Sequence, residues 1–225
     1  MKIGILQTGK SPDAIVKKHG QYNELFIRLL ENPAFTFETY VVVDGEFPSN
    51  AHSADGWLVT GSKHGAYEDH DWIPPLEEFL RDAFTAKVPI VGVCFGHQIL
   101  AQALGGKVEK WSGGWNVGAV EYKLNDGSSL SVMAFHQDQV VELPPGAEVL
   151  GSTERCEYAV LGYGNQALTI QPHPEFSNEY MADLLEARGD ILPKEAVEYA
   201  TRSLGQPLSD QQIAARFTEF FLQAR

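Results

Sequence analysis

Residues 92–98, Gly-Val-Cys-Phe-Gly-His-Gln, constrain the fold more than any other part of the chain. They follow an apolar run over residues 88–91 and lead into a helical pattern over residues 99–104. A cysteine between two glycines at a strand-to-helix turn is the cysteine form of the nucleophile elbow, whose strained backbone displays the reactive side chain. The two glycines lack a Cβ, so strand and helix can approach closely. Because the positive end of the helix dipole favours a thiolate, the sequence predicts covalent catalysis by Cys94.

The first half of the chain alternates strand-like and helical segments. Strands are predicted over residues 2–7, 37–43, 56–59 and 88–93, and helices over residues 22–30, 74–86 and 96–104. This order predicts an α/β fold with a mostly parallel central sheet and helices on both faces.

The second half of the chain is richer in strands, which we expect to add antiparallel pairs to the sheet. Strands are predicted over residues 119–124, 131–135, 139–142, 148–153, 159–163 and 167–171, and helices over 178–188, 193–203 and 210–222. Ser209 is the predicted N-cap of the last helix. Since no linker or repeat interrupts the chain, a single domain over residues 1–225 is expected.

Composition narrows the classes of function. The formal net charge of −13 with scattered lysines and arginines argues against nucleic acid as a partner. Only two cysteines occur, Cys94 and Cys156, so neither a disulfide framework nor a four-thiolate zinc site is expected. No apolar run approaches the roughly 20 residues that span a membrane. A strand pattern begins at Met1 without a signal-peptide layout, and we therefore expect a cytoplasmic protein that does not bind membranes.

A thiol nucleophile needs a nearby base, and seven histidines compete for that role. His173 lies in Gln-Pro-His-Pro-Glu, directly after an apolar strand, and so reaches the carboxyl end of the sheet where α/β active sites lie. Glu175 follows two residues later and projects to the same side of an extended segment. His173 and Glu175 are therefore the predicted base and its orienting carboxylate.

Other polar and aromatic groups are weaker candidates. His64, Asp69, His70 and Asp71 could suggest a metal site, but their spacing matches none, and no metal is predicted. His97 follows the elbow on a helix and is expected to pack or cap. Residues 111–115, Trp-Ser-Gly-Gly-Trp, are a candidate lid or specificity edge because their glycines permit movement.

Taken together, these motifs resemble the class I (triad-type) glutamine amidotransferase family, and in particular its stand-alone, GMP-synthase-like members. The resemblance rests on the elbow, on Leu-Gly-Gly-Lys-Val at residues 104–108 and on Gln-Pro-His-Pro-Glu at residues 171–175. It implies a flavodoxin-like fold, attack on a γ-glutamyl amide, and no requirement for a cofactor or a metal.

The resemblance also implies roles for individual residues. Cys94 would form a γ-glutamyl thioester, with His173 as general base and acid and Glu175 as its orienting group. The oxyanion hole would use the backbone N–H groups of Phe95 and Gly61. The loop Thr-Gly-Ser-Lys-His-Gly around Gly61 departs from the Pro-Gly-Gly that is common in the family.

Three further residues are candidates for contact with the substrate. Gln98, four residues after the cysteine, resembles the family position that binds the amino-acid end of the substrate. His136 and Gln137 lie in a Phe-His-Gln-Asp-Gln-Val stretch that resembles a family segment near the substrate. These two residues either line the substrate pocket or form only a structural strand end.

The sequence leaves three functions open. The first is hydrolysis of glutamine with release of ammonia. Because no Gly-x₄-Gly-Lys-Ser/Thr phosphate loop occurs here, transfer of that ammonia would need a synthetase as a separate partner. The second is hydrolysis of γ-glutamyl peptides or conjugates with water as acceptor. The third is a catalytically silent binding or sensor module, against which the complete set of catalytic residues argues.

Overall fold

A computed structural model describes residues 1–223. Its central sheet has nine strands in the order β2-β1-β3-β4-β11-β10-β9-β6-β7, and β5 pairs with β8 in a separate ribbon. The strands are β1 (Lys2–Leu6), β2 (Thr36–Tyr40), β3 (Gly56–Val59), β4 (Ile90–Val93), β5 (Lys107–Lys110), β6 (Asn116–Leu124), β7 (Ser129–His136), β8 (Asp138–Glu142), β9 (Glu148–Thr153), β10 (Cys156–Tyr163) and β11 (Ala167–Ile170).

The sheet changes character at β11. Strands β2, β1, β3, β4 and β11 run parallel to one another, whereas β10 pairs antiparallel with β11 and the strands β9, β6 and β7 continue the antiparallel pairing. The carboxyl ends of β1, β3, β4 and β11 therefore meet at one edge, which is where open α/β sheets place their ligand sites.

Helices cover both faces of the parallel strands. They are α1 (Asp13–His19), α2 (Tyr22–Leu29), α3 (Ile73–Thr85), α4 (Phe95–Ala103), α5 (Asn178–Arg188), α6 (Lys194–Ser203) and α7 (Asp210–Gln223). Side chains of α3 and α4 share one buried cluster with Trp57 and Val59 of β3, and those of α2 and α7 share another with Leu58. Successive residues of β3 thus face opposite layers, as a strand buried on both sides requires. None of the helices within residues 1–223 combines the length and apolarity needed to cross a membrane.

Two local expectations differ from the structure. The second strand was expected to reach residue 43, but it ends at Tyr40, and Val42–Asp44 forms a 3₁₀ turn closed by Gly45 at φ 86°. Helix α1 and strand β5 have no counterpart in the sequence expectations. Ser209 directly precedes α7, as expected of its N-cap, and its carbonyl oxygen accepts from the N–H of Ile213 at 3.0 Å, while its hydroxyl accepts from the N–H of Ser131 at 3.0 Å.

Candidate active site

Cys94 lies between the end of β4 and the start of α4, with φ at 52°. A positive φ is strained for a residue with a side chain and occurs mainly where the surroundings enforce it. A Cβ on Gly92 would lie 2.6 Å from the carbonyl oxygen of Gly96, and one on Gly96 would lie 2.3 Å from that of Val59. Both distances are below any van der Waals contact, and the elbow therefore requires both glycines, as the sequence predicted.

His173 and Glu175 form a buried pair beyond the end of β11. The two residues are 4% and 8% exposed, and Nδ1 of His173 lies 2.7 Å from Oε1 of Glu175. A carboxylate oxygen only accepts, so Nδ1 donates the proton and Nε2 is left for another partner. The ring of Phe176 stacks on the imidazole at 4.1 Å between centroids, with an angle of 1° between the planes.

The Cys94 side chain lies against the same imidazole. A Cβ on Gly61 would lie 2.8 Å from Cε1 of His173 and 3.7 Å from Cβ of Cys94, so this glycine borders both side chains. Burial alone disfavours the imidazolium, but the charge of Glu175 and the neighbouring Cys94 side chain outweigh it and raise the pKa of His173 to about 10. The arrangement therefore favours a protonated imidazole beside the Cys94 side chain at neutral pH.

Two threonines fix the backbone at the end of β3. Thr8 and Thr60 are both fully buried, and the Thr8 hydroxyl lies 2.9 Å from the carbonyl oxygen of Thr60 and 3.1 Å from that of Gly61. The Thr60 hydroxyl accepts from the Thr8 N–H at 3.0 Å and lies 3.1 Å from the same Gly61 oxygen. The Gly61 carbonyl and the Ser62 N–H belong to one trans peptide and point in opposite directions. Because both threonine hydroxyls bind that carbonyl, the N–H of Ser62 points away from the threonines.

Backbone donors are left free around the thiol. The N–H groups of Gly61, Ser62 and Phe95 have no acceptor among residues 1–223. Those of Gly61 and Phe95 are the donors that the sequence predicted, and that of Ser62 is a third one that sequence reasoning missed.

A cavity of about 260 Å³ opens beside Cys94 and Ser62, whereas Gly61 and Phe95 are not among the described residues that line it. Its wall includes five predicted site residues: Cys94, Gln98, His136, Gln137 and His173. Tyr67, one of the aromatic residues that the sequence offered for a substrate mouth, also lines it, together with charged side chains that the sequence did not single out: Lys63, Glu68, Lys110, Asp138 and Arg188. Tyr67 closes one side by donating from its hydroxyl to Oδ2 of Asp138 at 3.2 Å.

Gln98 and His136 meet at one backbone carbonyl. The side-chain amide of Gln98 donates to the carbonyl oxygen of Asp138 at 2.9 Å and to Oε1 of Gln171 at 3.1 Å. Nδ1 of His136 lies 3.2 Å from the same carbonyl, so it carries the proton, and Nε2 is a buried acceptor that lacks a partner in the described part of the chain. Burial lowers the pKa of His136 to about 3, which keeps the ring neutral.

Gln137 contacts the loop at residues 111–115, which the sequence offered as a candidate lid. Nε2 of Gln137 donates to the carbonyl oxygen of Trp111 at 3.2 Å, and the Trp111 N–H donates back to the carbonyl oxygen of Gln137 at 3.2 Å. Arg155 lies over the Trp111 ring at 5.0 Å and donates to the carbonyl oxygen of Gly113 at 2.7 Å. Trp115 of this loop contributes to the cavity wall.

His97 and Cys156 are not among the described residues that line the cavity. His97 is fully buried with Nδ1 2.8 Å from Oγ1 of Thr169, and burial lowers the pKa of His97 to about 3. Cys156 is buried, which raises the pKa of its thiol to about 12. His97 therefore has a packing role, and Cys156 is an inert thiol.

Comparison with known proteins identifies the protein family to which the chain belongs. The family described as glutamine amidotransferase class-I matches residues 19–188, and the chain belongs to that family. The family resemblance predicted from the sequence is thereby confirmed.

Individual relatives differ in how much of their length corresponds to this chain. Gamma-glutamyl peptidase 2 of Arabidopsis thaliana is 27% identical over 239 residues, covering 100% of this chain and 96% of the relative. A GMP synthase [glutamine-hydrolyzing] of Burkholderia mallei is 28% identical over 186 residues, covering 70% of this chain but only 33% of the relative. The crystal structure of a glutamine amido transferase from Methylobacillus flagellatus superposes with a TM-score of 0.77 at 20% identity, covering 100% and 92% of the two chains. The last match confirms the flavodoxin-like fold.

Proposed function

We propose that the protein hydrolyses γ-glutamyl amide bonds through a thioester on Cys94. The observation that carries this proposal is the buried 2.7 Å contact between His173 and Glu175, made where the imidazole borders a cysteine at positive φ. A nucleophile, a base and an orienting carboxylate in that relation are what acyl transfer by a thiol requires.

The proposed reaction runs in two halves. The Cys94 thiolate attacks the γ-carbonyl carbon, and as the C–N bond breaks, Nε2 of His173 gives its proton to the leaving nitrogen. The now neutral His173 takes a proton from water, whose oxygen attacks the thioester carbonyl. The C–S bond then breaks, glutamate leaves, and the thiolate–imidazolium pair is restored. Glu175 keeps the proton on Nδ1 throughout and stabilises the imidazolium.

The proposed oxyanion hole combines two backbone donors. Phe95 supplies one at the N-terminus of α4, where the helix dipole adds to its effect. The second donor comes from the loop after β3. The sequence predicted the Gly61 N–H, but the hydrogen bonds of Thr8 and Thr60 to the Gly61 carbonyl favour the neighbouring Ser62 N–H instead. Fixing this peptide in advance lowers the reorganisation that charge development would otherwise require.

The amino-acid end of the substrate fits the corner formed by Gln98 and His136. The amide hydrogens of Gln98 are already donated to Asp138 and Gln171, which leaves its carbonyl oxygen as an acceptor. Nε2 of His136 is a second acceptor, and it is buried without a partner in the described chain. Two acceptors suit the α-ammonium of a γ-glutamyl group, which has three N–H donors.

γ-Glutamyl peptides are the second candidate substrate beside glutamine, and the charges of the cavity favour them. Three cations, Lys63, Lys110 and Arg188, line its wall beside two carboxylates, Glu68 and Asp138. Glutamine has one carboxylate, whereas a γ-glutamyl peptide has a second one on the leaving amine that these cations can bind. The end-to-end match to a γ-glutamyl peptidase supports the same choice. With glutamine as substrate, transfer of the ammonia would require a synthetase as a separate partner.

A panel of γ-glutamyl amides tests the proposal. Glutamine, γ-glutamyl dipeptides and their C-terminal amides differ in leaving-group size and in the second carboxylate. We expect release of amine or ammonia from this panel, abolished in Cys94→Ala and retained in the matched Cys156→Ala. A higher kcat/KM for free dipeptides than for their amides would support the peptide substrate. Activity in Cys94→Ala, or no hydrolysis of any panel member, would overturn the proposal and favour a silent module.

A further inference from the structure

A second cluster of reactive side chains lies on the loop between β3 and α3. Oε2 of Glu68 lies 3.3 Å from Nδ1 of His64 and 2.8 Å from Nε2 of His70. The two imidazole rings are 4.2 Å apart between centroids. One ligand atom from each of the three residues lies within 4.8 Å of the other two.

This donor set is suited to a transition-metal ion. Zinc takes histidine nitrogens and carboxylate oxygens at roughly 2.0–2.2 Å in a tetrahedron, which separates ligand atoms by about 3.4 Å. The two contacts to Glu68, at 2.8 and 3.3 Å, are close to that separation. One nitrogen of each imidazole points at the same carboxylate oxygen of Glu68. A cation could therefore take the place of the hydrogen-bonding protons with only small side-chain movements.

Packing already orients both rings. His70 stacks on Trp72 at 6.0 Å with a 12° angle between planes, and His64 meets the same indole edge-on at 5.8 Å. Trp72 in turn packs on Phe95 at 5.4 Å. Turn hydrogen bonds from the N–H of Glu68 to the carbonyl oxygen of Gly65 and from that of His70 to Glu68 shape the loop. Supporting contacts of this kind are what fixes ligand orientation in metal sites.

We propose that His64, Glu68 and His70 bind one divalent transition-metal ion of the Zn²⁺ class at the entrance of the Cys94 cavity. His64 and Glu68 belong to the wall of that cavity. Three protein ligands leave a coordination position for water or for a donor atom of a substrate. The sequence predicted no metal because the spacing of His64, Asp69, His70 and Asp71 matches no metal site. In the structure Glu68, rather than Asp69 or Asp71, lies beside the two histidines.

Cobalt titration tests the site directly. Co²⁺ is added to the full chain as Cys94→Ser, so that the catalytic thiol cannot act as a ligand. We expect one equivalent to bind with visible d–d absorption of a four- or five-coordinate site, and Zn²⁺ to displace it. Removal of a ligand in His70→Asn or Glu68→Gln should weaken binding at least about tenfold. The matched variant His52→Asn alters an exposed histidine outside the cluster and should bind like the parent.

Thermal unfolding gives a second readout that does not depend on the absorption bands. Saturating Zn²⁺ should raise the Tm of Cys94→Ser and of His52→Asn in that background, but not that of His70→Asn. Absence of d–d absorption at one equivalent, or equal affinity in His70→Asn and His52→Asn, would overturn the metal site. Neither result bears on the γ-glutamyl hydrolase proposal, because every protein in this test lacks the nucleophile.

Discussion

Gly61→Ala places one methyl group between the proposed nucleophile and its base. The new Cβ would lie 2.8 Å from Cε1 of His173, whereas ordinary contacts begin at 3.4 Å, so the imidazole must move by about 0.6 Å or more. Phe176, stacked face to face on the ring, restricts where the imidazole can go. A misplacement of about 1 Å costs roughly 10²-fold in rate, and we expect kcat to fall by about 10- to 100-fold with KM little changed.

Release of p-nitroaniline from γ-glutamyl-p-nitroanilide measures this effect. Gly189→Ala is the matched control, because Gly189 has φ −64° and its added Cβ would be 3.8 Å from Val197. Circular dichroism should show both variants folded, with activity lost only in Gly61→Ala. If a folded Gly61→Ala keeps kcat within about twofold of the parent, His173 does not act where the structure places it.

Two further changes test the electrostatics and the backbone of the site. Glu175→Gln removes the negative charge that raises the pKa of His173, so the imidazolium should lose its proton at lower pH, and the alkaline limb of the kcat/KM profile should move down by about one to three pH units. Thr8→Val removes a hydroxyl that fixes the Gly61 carbonyl while keeping the side-chain shape; we expect about a tenfold lower kcat at a stability cost of about 1 kcal/mol, with Thr8→Ser restoring the rate.

Each of these expectations has a clear contrary result. An alkaline limb that stays in place in Glu175→Gln would mean that the carboxylate does not control the proton on His173. An equal loss of kcat in Thr8→Ser and Thr8→Val would mean that the hydroxyl has no part in positioning the Gly61 peptide.

The sequence predicted the elbow because its signal is local. The two glycines stand close to Cys94 in the chain, and the contact that excludes a side chain at Gly92 is with nearby Gly96, although the one that excludes it at Gly96 is with Val59 of β3. The pairing of His173 with Glu175 is local in the same way. Most strands and helices of the sheet core also carry their own apolar periodicity, and the predicted fold class is confirmed.

Features that depend on distant contacts were not predictable. Strand β5 buries only Val108 of its four residues and is defined by pairing with β8. The bridge from Tyr67 to Asp138 joins positions 71 residues apart. Glu68 is close to both histidines in the chain, but the irregular loop has no periodicity from which their contact could be predicted.

Labelling with a glutamine-analogue electrophile tests the central claim most directly. The protein is treated with 6-diazo-5-oxo-norleucine, and the modified peptide is identified by mass spectrometry. The account predicts one adduct on Cys94, suppressed by γ-glutamyl substrates, slowed in His173→Gln and absent in Cys94→Ala. An adduct on Cys156, or labelling that persists in Cys94→Ala, would contradict it.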